Sequence, residues 1–416
     1  MNPRDRVRAS LNHRQPDRVA VDFGGTPCTG IHVWTVEKLR RRYGLDDHPV
    51  KVIEPLQMLG EIEPDLGAVL GSDAVALNPH TTIFGFTNDG AREFRLPWGQ
   101  VALVPDGFQT TEVSGQGLYI YPEGDRSVPP SGYMPEGSFF FDVIIRQVPL
   151  DEDQLRVEDN LEEFGPVTED ALLYFEREAR RLAGTGLAVV GNLGGTALGD
   201  IALVPASFLK HPRGIRDITE WYMSLAVRRE FIHQIFSRQT DTALANLAKI
   251  HARIGDGMDV AFVCGTDFGT QDSQFCSVET FNSLYAPYYR QINGWIHRNT
   301  SWKTFKHCCG AAEVFMESFI ASGFDIINPV QISAKGMDPK NLKDKYGDRL
   351  VFWGGGVNTQ KTLPFGTPAA VREEVLRLLE IFAPAGGFVF NTVHNIQANV
   401  PIENVAAMIE ALKEFR

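Results

Sequence analysis

His307-Cys308-Cys309-Gly310 follows the strand-like run SWKTF and leads into the helix-like run AAEVFMESFIASG. An imidazole and a thiolate two positions apart at a strand end, with glycine freeing the backbone to turn, suit a zinc site built from nitrogen and sulfur ligands. A third ligand is needed. His394 in FVFNTVHNIQANVP also closes a strand-like run, ahead of the final helix-like segment PIENVAAMIEALKEF. Three protein ligands with a fourth position open is the pattern of catalytic rather than structural zinc. Taken singly, a strand-end Cys is also a small apolar residue, and a His a hydrogen-bonded core group. The metal reading draws on their pairing at the C-terminal end of a strand, where parallel α/β barrels carry their active sites.

The elements that must position these residues are legible as repeated units. From about Leu161 onward, amphipathic helices alternate with short apolar runs: TEDALLYFEREARRLAGTG precedes LAVVGN, and the long stretch ITEWYMSLAVRREFIHQIFSRQTDTALANLAKIHARIG precedes VAFVCGTD. Further units end in TFKHCCG, DIINPVQ, RLVFWGGGV and FVFNTVHN. So many helix-then-strand units predict an α/β fold with a closed parallel sheet, a TIM (β/α)8 barrel spanning 1–416 as one domain. VKVIEPL and DAVALN are expected to supply its first strands. The segment from about Thr82 to Val148 departs from this pattern. Its alternating runs AREFRLPWGQVALV, GLYIYPEG and SFFFDVIIRQV read as antiparallel hairpins, an insertion placed either over the catalytic face or against the barrel flank.

The predicted strand ends name the remaining candidates. Asn78, His80, Asn192, Asn328, Gln331 and Asn391 are expected to contact a polar or methoxylated small molecule, although Asn192 and Asn328 serve equally well as helix caps. Asp267 and Gln271, in GTDFGTQDSQF, are the candidate catalytic pair. Asp267 suits orienting a zinc-bound imidazole or binding substrate, and capping its own loop as well. The glycines of FWGGGVNTQ suit a tight turn or an anion, without the GK[ST] of a P-loop.

The net charge of −12 and pI near 5.4 argue against a nucleic-acid or anionic-membrane surface. No run approaches the roughly 18 apolar residues of a membrane helix, and MNPRDRVRASLNHRQPDR lacks a signal-peptide core, so a cytoplasmic protein is expected. Five cysteines, two of them adjacent, suit reduced thiols and a metal better than a disulfide framework. GxSxG, HExxH and strand-to-helix GxGxxG are all missing, which removes support for serine-hydrolase, zincin and nicotinamide chemistry.

The blocks GTDFGTQ, HCCG, DIINPVQISAKGMDPKNLKDKYGDRLVFWGGGVNTQKTLPFGTP and HNIQANVPIENV resemble the uroporphyrinogen decarboxylase superfamily, in the branch similar to corrinoid-dependent methyltransferases. The resemblance implies a TIM barrel and, in that branch, a zinc held by an H-x-C-G motif and a later Cys. His307 and Cys309 match the motif, while His394 stands where the later Cys would be. It further implies zinc-dependent methyl transfer between a small methyl ether, thiol or amine and a corrinoid (methylcobalamin) carried by a separate protein, since no DxHxxG loop is present. Two alternatives are porphyrinogen decarboxylation and a non-catalytic ligand-binding barrel. The first calls for an arginine cluster near the N-terminus, where this chain has VAVDFGGTPCTGIHVW.

Overall fold

The computed structural model describes residues 1–161 and 164–415. Eight parallel strands form the central sheet: β1 (Ala20–Val21), β2 (Ala74–Leu77), β3 (Ala188–Gly191), β4 (Val260–Cys264), β5 (Lys303–His307), β6 (Ile326–Asn328), β7 (Val351–Trp353) and β8 (Phe388–Phe390). β1 pairs with β8, and sequential strands pair from β2 to β8. At the remaining seam the Asp73 N–H donates to the Val21 carbonyl at 2.7 Å, bringing β2 against β1. The fold is a TIM barrel.

β-branched and aromatic side chains drive these strands. β3, β4 and β7 are buried throughout, as a parallel sheet covered on both faces requires. Inside the barrel, Val190, Val260, Phe262, Phe305, Ile326, Val351, Trp353 and Val389 form one apolar cluster, which Val7 and Leu11 of the N-terminal helix Pro3–Leu11 complete from below. That helix is held by charge. Arg6 Nη1 lies 2.6 Å from Asp73 Oδ1, and Arg4 and Arg8 reach Asp259 at 3.0 and 2.7 Å. Asp73 and Asp259 immediately precede β2 and β4, so the N-terminal face is built for stability and the opposite face is left for chemistry.

Two expectations are corrected. VKVIEPL does not open the barrel: Val52–Glu54 pairs antiparallel with Leu59–Gly60, outside the parallel sheet. The first barrel strand is the two-residue β1, too short to show a period. The long helix after β3 is broken at Arg228, which leaves helical geometry between Ile218–Val227 and Arg229–Ile254. The segment 82–148 does form antiparallel structure: a hairpin of Arg92–Arg95 with Val101–Val104, and a four-stranded sheet containing Thr110–Val113, Gly117–Ile120, Gly132–Pro135 and Asp142–Val143. No described helix is long and apolar enough to cross a membrane, and all five cysteines are unpaired.

Candidate metal centre and cavity

β5 carries His307 to the C-terminal mouth of the barrel, and the chain turns there at Gly310, whose φ is +83°. A Cβ at Gly310 would lie 2.4 Å from the Gly269 carbonyl carbon and oxygen, so only glycine lets the β5 loop pass so close to the loop after β4. The turn points Cys309 Sγ back to within 3.3 Å of His307 Nε2. His394, from the loop after β8, places its ring 5.6 Å from that of His307, centroid to centroid. Two overlapping sets of donor atoms result, each within 4.8 Å of one another: Cys28, His307 and His394, and Asp267, His307 and Cys309.

Hydrogen bonds fix how these groups face. Asn328 Nδ2 donates to the Trp353 carbonyl at 2.7 Å, which turns Asn328 Oδ1 toward His307 Nδ1, 2.6 Å away. Nδ1 must therefore carry the proton, and the Nε2 lone pair faces the other donors. Burial holds both imidazoles down at about 4, so both are neutral near pH 7. Burial likewise pushes the thiols of Cys28 and Cys309 well up, with the charge of Asp267 adding to it. The Asp267 carboxylate accepts the Cys309 N–H at 2.6 Å and stands 4.0 Å from His307 Nε2.

This donor set fits zinc. Metal–ligand distances of about 2.0–2.3 Å put the ligands of a tetrahedral zinc roughly 3.3–3.8 Å apart, so the donors within each set, up to 4.8 Å apart, must close in on one ion, and Cys309 joins His394 through their shared neighbour His307. Buried thiols gain most from a dication, whose charge favours the thiolate that burial alone disfavours.

The cluster opens into a cavity of about 1500 Å³ whose wall includes Cys28, Asn78, Asn192, Asp267, His307, Cys309 and His394. The hairpin insertion contributes Ile83, Gly85, Asn88 and Glu123 to that wall. Among the further carboxyls lining it are Asp200 and Glu54. Asp200 accepts the Ala202 and Gly265 N–H groups at 3.0 and 3.1 Å, and Glu54 those of Leu56 and Gln57 at 3.0 and 2.8 Å. Burial pushes Asp200 up to about 6 and Glu54 up to about 7. Among the described residues Arg181 is the one Arg or Lys in the wall, and it lies before β3, on the far side from the cluster.

Of the residues expected from sequence, Asp267, His307, Cys309 and His394 meet at the mouth, and Asn78 and Asn192 line the cavity. The others are engaged elsewhere. His80 stacks on Tyr174 at 4.8 Å. Asn328 is fully buried behind His307, and Asn391 donates to the carbonyls of Asp22 and Thr29. Gln331 Oε1 accepts the Gly310 N–H at 2.7 Å, and its Nε2 donates to Gln271 Oε1 at 3.0 Å, so both glutamines brace the Gly310 turn. Cys28, Glu54 and Asp200 are additions. Cys28 follows the shortest strand, and its one sequence signal is a thiol in the turn-rich GGTPCTG directly after an apolar run.

The sequence profile of the uroporphyrinogen decarboxylase (URO-D) family matches residues 175–415, more than half of the chain. The chain belongs to the URO-D family. The match spans β3 to β8 and therefore Asp267, His307, Cys309 and His394, but neither Cys28 nor the insertion. Among curated URO-D proteins, uroporphyrinogen decarboxylase of Methylococcus capsulatus is 26% identical over 184 residues, covering 44% of this chain and 49% of that protein. The one from Vibrio campbellii is 36% identical over 95 residues, covering 20% and 26%. The chain thus spans about half the length, or less, of the curated relatives it matches. The structure of a methyltransferase from Methanosarcina mazei has a similar fold along the whole chain, with a TM-score of 0.54 at 15% identity, covering 100% of this chain and 99% of that one.

Proposed function

We propose that the protein is a zinc-dependent methyltransferase of the URO-D family, moving a methyl group between a small methylated compound and the corrinoid of a separate partner protein. The observation that carries this reading is the convergence of His307, Cys309, His394 and Cys28 at the mouth of a large cavity. A decarboxylase that needs no metal has no use for two thiols and two neutral imidazoles there. Its polycarboxylate substrate would also meet a wall carrying Glu54, Asp200 and Asp267, with Arg181 as the lone described strong base.

His307, Cys309 and His394 would hold the metal, and the Cys28 thiol, which shares a donor set with His307 and His394, would take the fourth position in the absence of substrate. Zinc bound there would supply Lewis acidity to the sulfur, oxygen or nitrogen that gains or loses the methyl group. The chain's own residues do the rest. Asn328 holds the His307 tautomer, the Asp267 carboxylate fixes the Cys309 backbone, and Gly310 lets the two loops close on each other. Asn78 and Asn192 offer hydrogen bonds to the substrate's polar groups. The cavity walls keep the methyl carbon between its two partners, and for an in-line displacement such positioning accounts for much of the rate.

The test is transfer itself. Zinc-loaded protein should alkylate free cob(I)alamin from a methoxylated or N-methylated donor, or demethylate methylcobalamin in the presence of a thiol, followed by the corrinoid absorption spectrum. Release of carbon dioxide from uroporphyrinogen, with no corrinoid reaction in either direction, would overturn the proposal.

A further inference from the structure

The cavity does not end at the metal cluster. Ser72 and Leu187, which precede β2 and β3, line it together with Asn78 and Asn192, which follow those strands. Parallel strands begin at one end of the barrel and finish at the other, so the cavity runs the length of β2, roughly 20 Å from Ser72 to Asn78 at about 3.3 Å per residue. Two helices wall this arm. Helix Pro64–Leu70 turns Pro64, Gly67 and Ala68 to it, and helix Glu169–Ala183 adds Leu182 from its last turn. Val75 and Ala76 of β2 line it and stay half-buried, whereas β3, β4 and β7 are covered throughout. A parallel sheet is normally covered on both faces, and the arm leaves β2 partly bare.

Gly67 keeps that space open. Positions 64, 67 and 68 fall on one helix face, and glycine within a helix is disfavoured by its backbone entropy. Gly67 has no positive φ to require it. A Cβ there would meet only Ile62 Cγ2, at 3.9 Å, so packing among the described residues does not require glycine either. The volume agrees. About 1500 Å³ exceeds the roughly 300–1000 Å³ of pockets that hold drug-sized ligands, and a methylated group at the metal with nothing attached would leave most of it to water.

We infer that the arm along β2 holds an extended apolar tail of the substrate, whose methylated head group reaches the metal centre. What happens to the head group rests on the methyl-transfer reading; the seat of the tail does not. The walls at Gly67, Ala68, Val75, Ala76 and Leu182 carry no charge, and Arg181, at the far end of the arm, is already paired with Glu178 at 2.8 Å. Methylenes taken out of water along such walls add affinity with each unit of length.

The experiment is isothermal titration of the full chain, zinc-loaded and metal-free, with hexanol, octanol and decanol, wild type beside Gly67→Phe and Ala68→Trp. Wild-type affinity should rise about three- to fourfold per added methylene, and either variant should bind decanol at least about tenfold more weakly than wild type while hexanol changes less than about threefold. Gly67→Ala should melt at or above the wild-type temperature, since alanine favours the helix and the space is open. Affinity that does not rise with chain length would overturn the inference. So would variants that bind decanol as wild type does, or variants that fail to fold or a Gly67→Ala protein that melts lower, because the glycine would then serve the fold. The two readings fail separately: chain-length dependence blocked by the variants but no corrinoid reaction keeps the tail site and removes methyl transfer, and methyl transfer with a flat chain-length series does the reverse.

Discussion

Asn328 Oδ1 stands 2.6 Å from His307 Nδ1 while the same amide donates to the Trp353 carbonyl, so one buried side chain on β6 decides which nitrogen of the β5 imidazole faces the cavity. Groups that orient a ligating histidine typically contribute 10–100-fold to metal affinity. Asn328→Leu should weaken zinc binding by about that factor in chelator competition, whereas Asn328→Asp, which keeps the acceptor, should retain most of it. Equal affinities in the two variants would remove the tautomer argument.

Cys28 lies outside the region matched by the family profile, yet shares a donor set with His307 and His394. Cys28→Ser should weaken zinc binding about as much as Cys309→Ser does. In cobalt-substituted protein each change should remove part of the thiolate-to-metal absorption. An unaltered cobalt spectrum in Cys28→Ser would show that Cys28 is a cavity wall and nothing more.

At the closed end of the barrel, Arg6 and Asp73 are both buried and 2.6 Å apart. Removing one member of such a pair strands the other, at a cost of roughly 3–5 kcal/mol. Arg18 at 2.8 Å from Asp73 places Arg6→Ala toward the lower end of that range. Urea unfolding should show this loss with the zinc content unchanged, because the pair and the metal centre occupy opposite ends of the strands.

Asp22 accepts the Trp353 Nε1–H and the Gly25 N–H, and burial still pushes its carboxyl up to about 6. Its unfolded value is near 3.8, so between pH 4 and 6 the folded state binds the extra proton. Stability from this group is then greatest below pH 4 and falls as pH rises to 6, by an amount on the order of 3 kcal/mol. The stability of wild type minus that of Asp22→Asn should fall across this window and level off above it. A difference that climbs with pH would show that the carboxylate is favoured in the fold.

The barrel was legible because six of its strands follow amphipathic helices, each long enough to show a period. β1 has two residues and shows none, which is why VKVIEPL was expected in its place and why Cys28, on the loop β1 positions, went unseen. His307 and Cys309 stood out because their spacing is local. His394 could be placed by its equivalent position before a helix. Glu54 and Asp200 could not, since their burial comes from walls contributed by segments far away in the chain. His80 and Asn391, at strand ends, and Gln271, on the loop after β4, are near the mouth by position, but their side chains meet Tyr174, the Asp22 and Thr29 carbonyls, and Gln331, contacts between distant segments that local sequence does not show.

The central claim is a zinc held by His307, Cys309 and His394. It is tested most directly by the metal content of protein purified without chelators, wild type beside Cys309→Ser and His394→Ala. The account predicts about one zinc per wild-type chain, with X-ray absorption showing mixed sulfur and nitrogen ligation, and loss of most of that zinc in both folded variants. A folded wild type that is free of metal and takes up none on addition of zinc would contradict it.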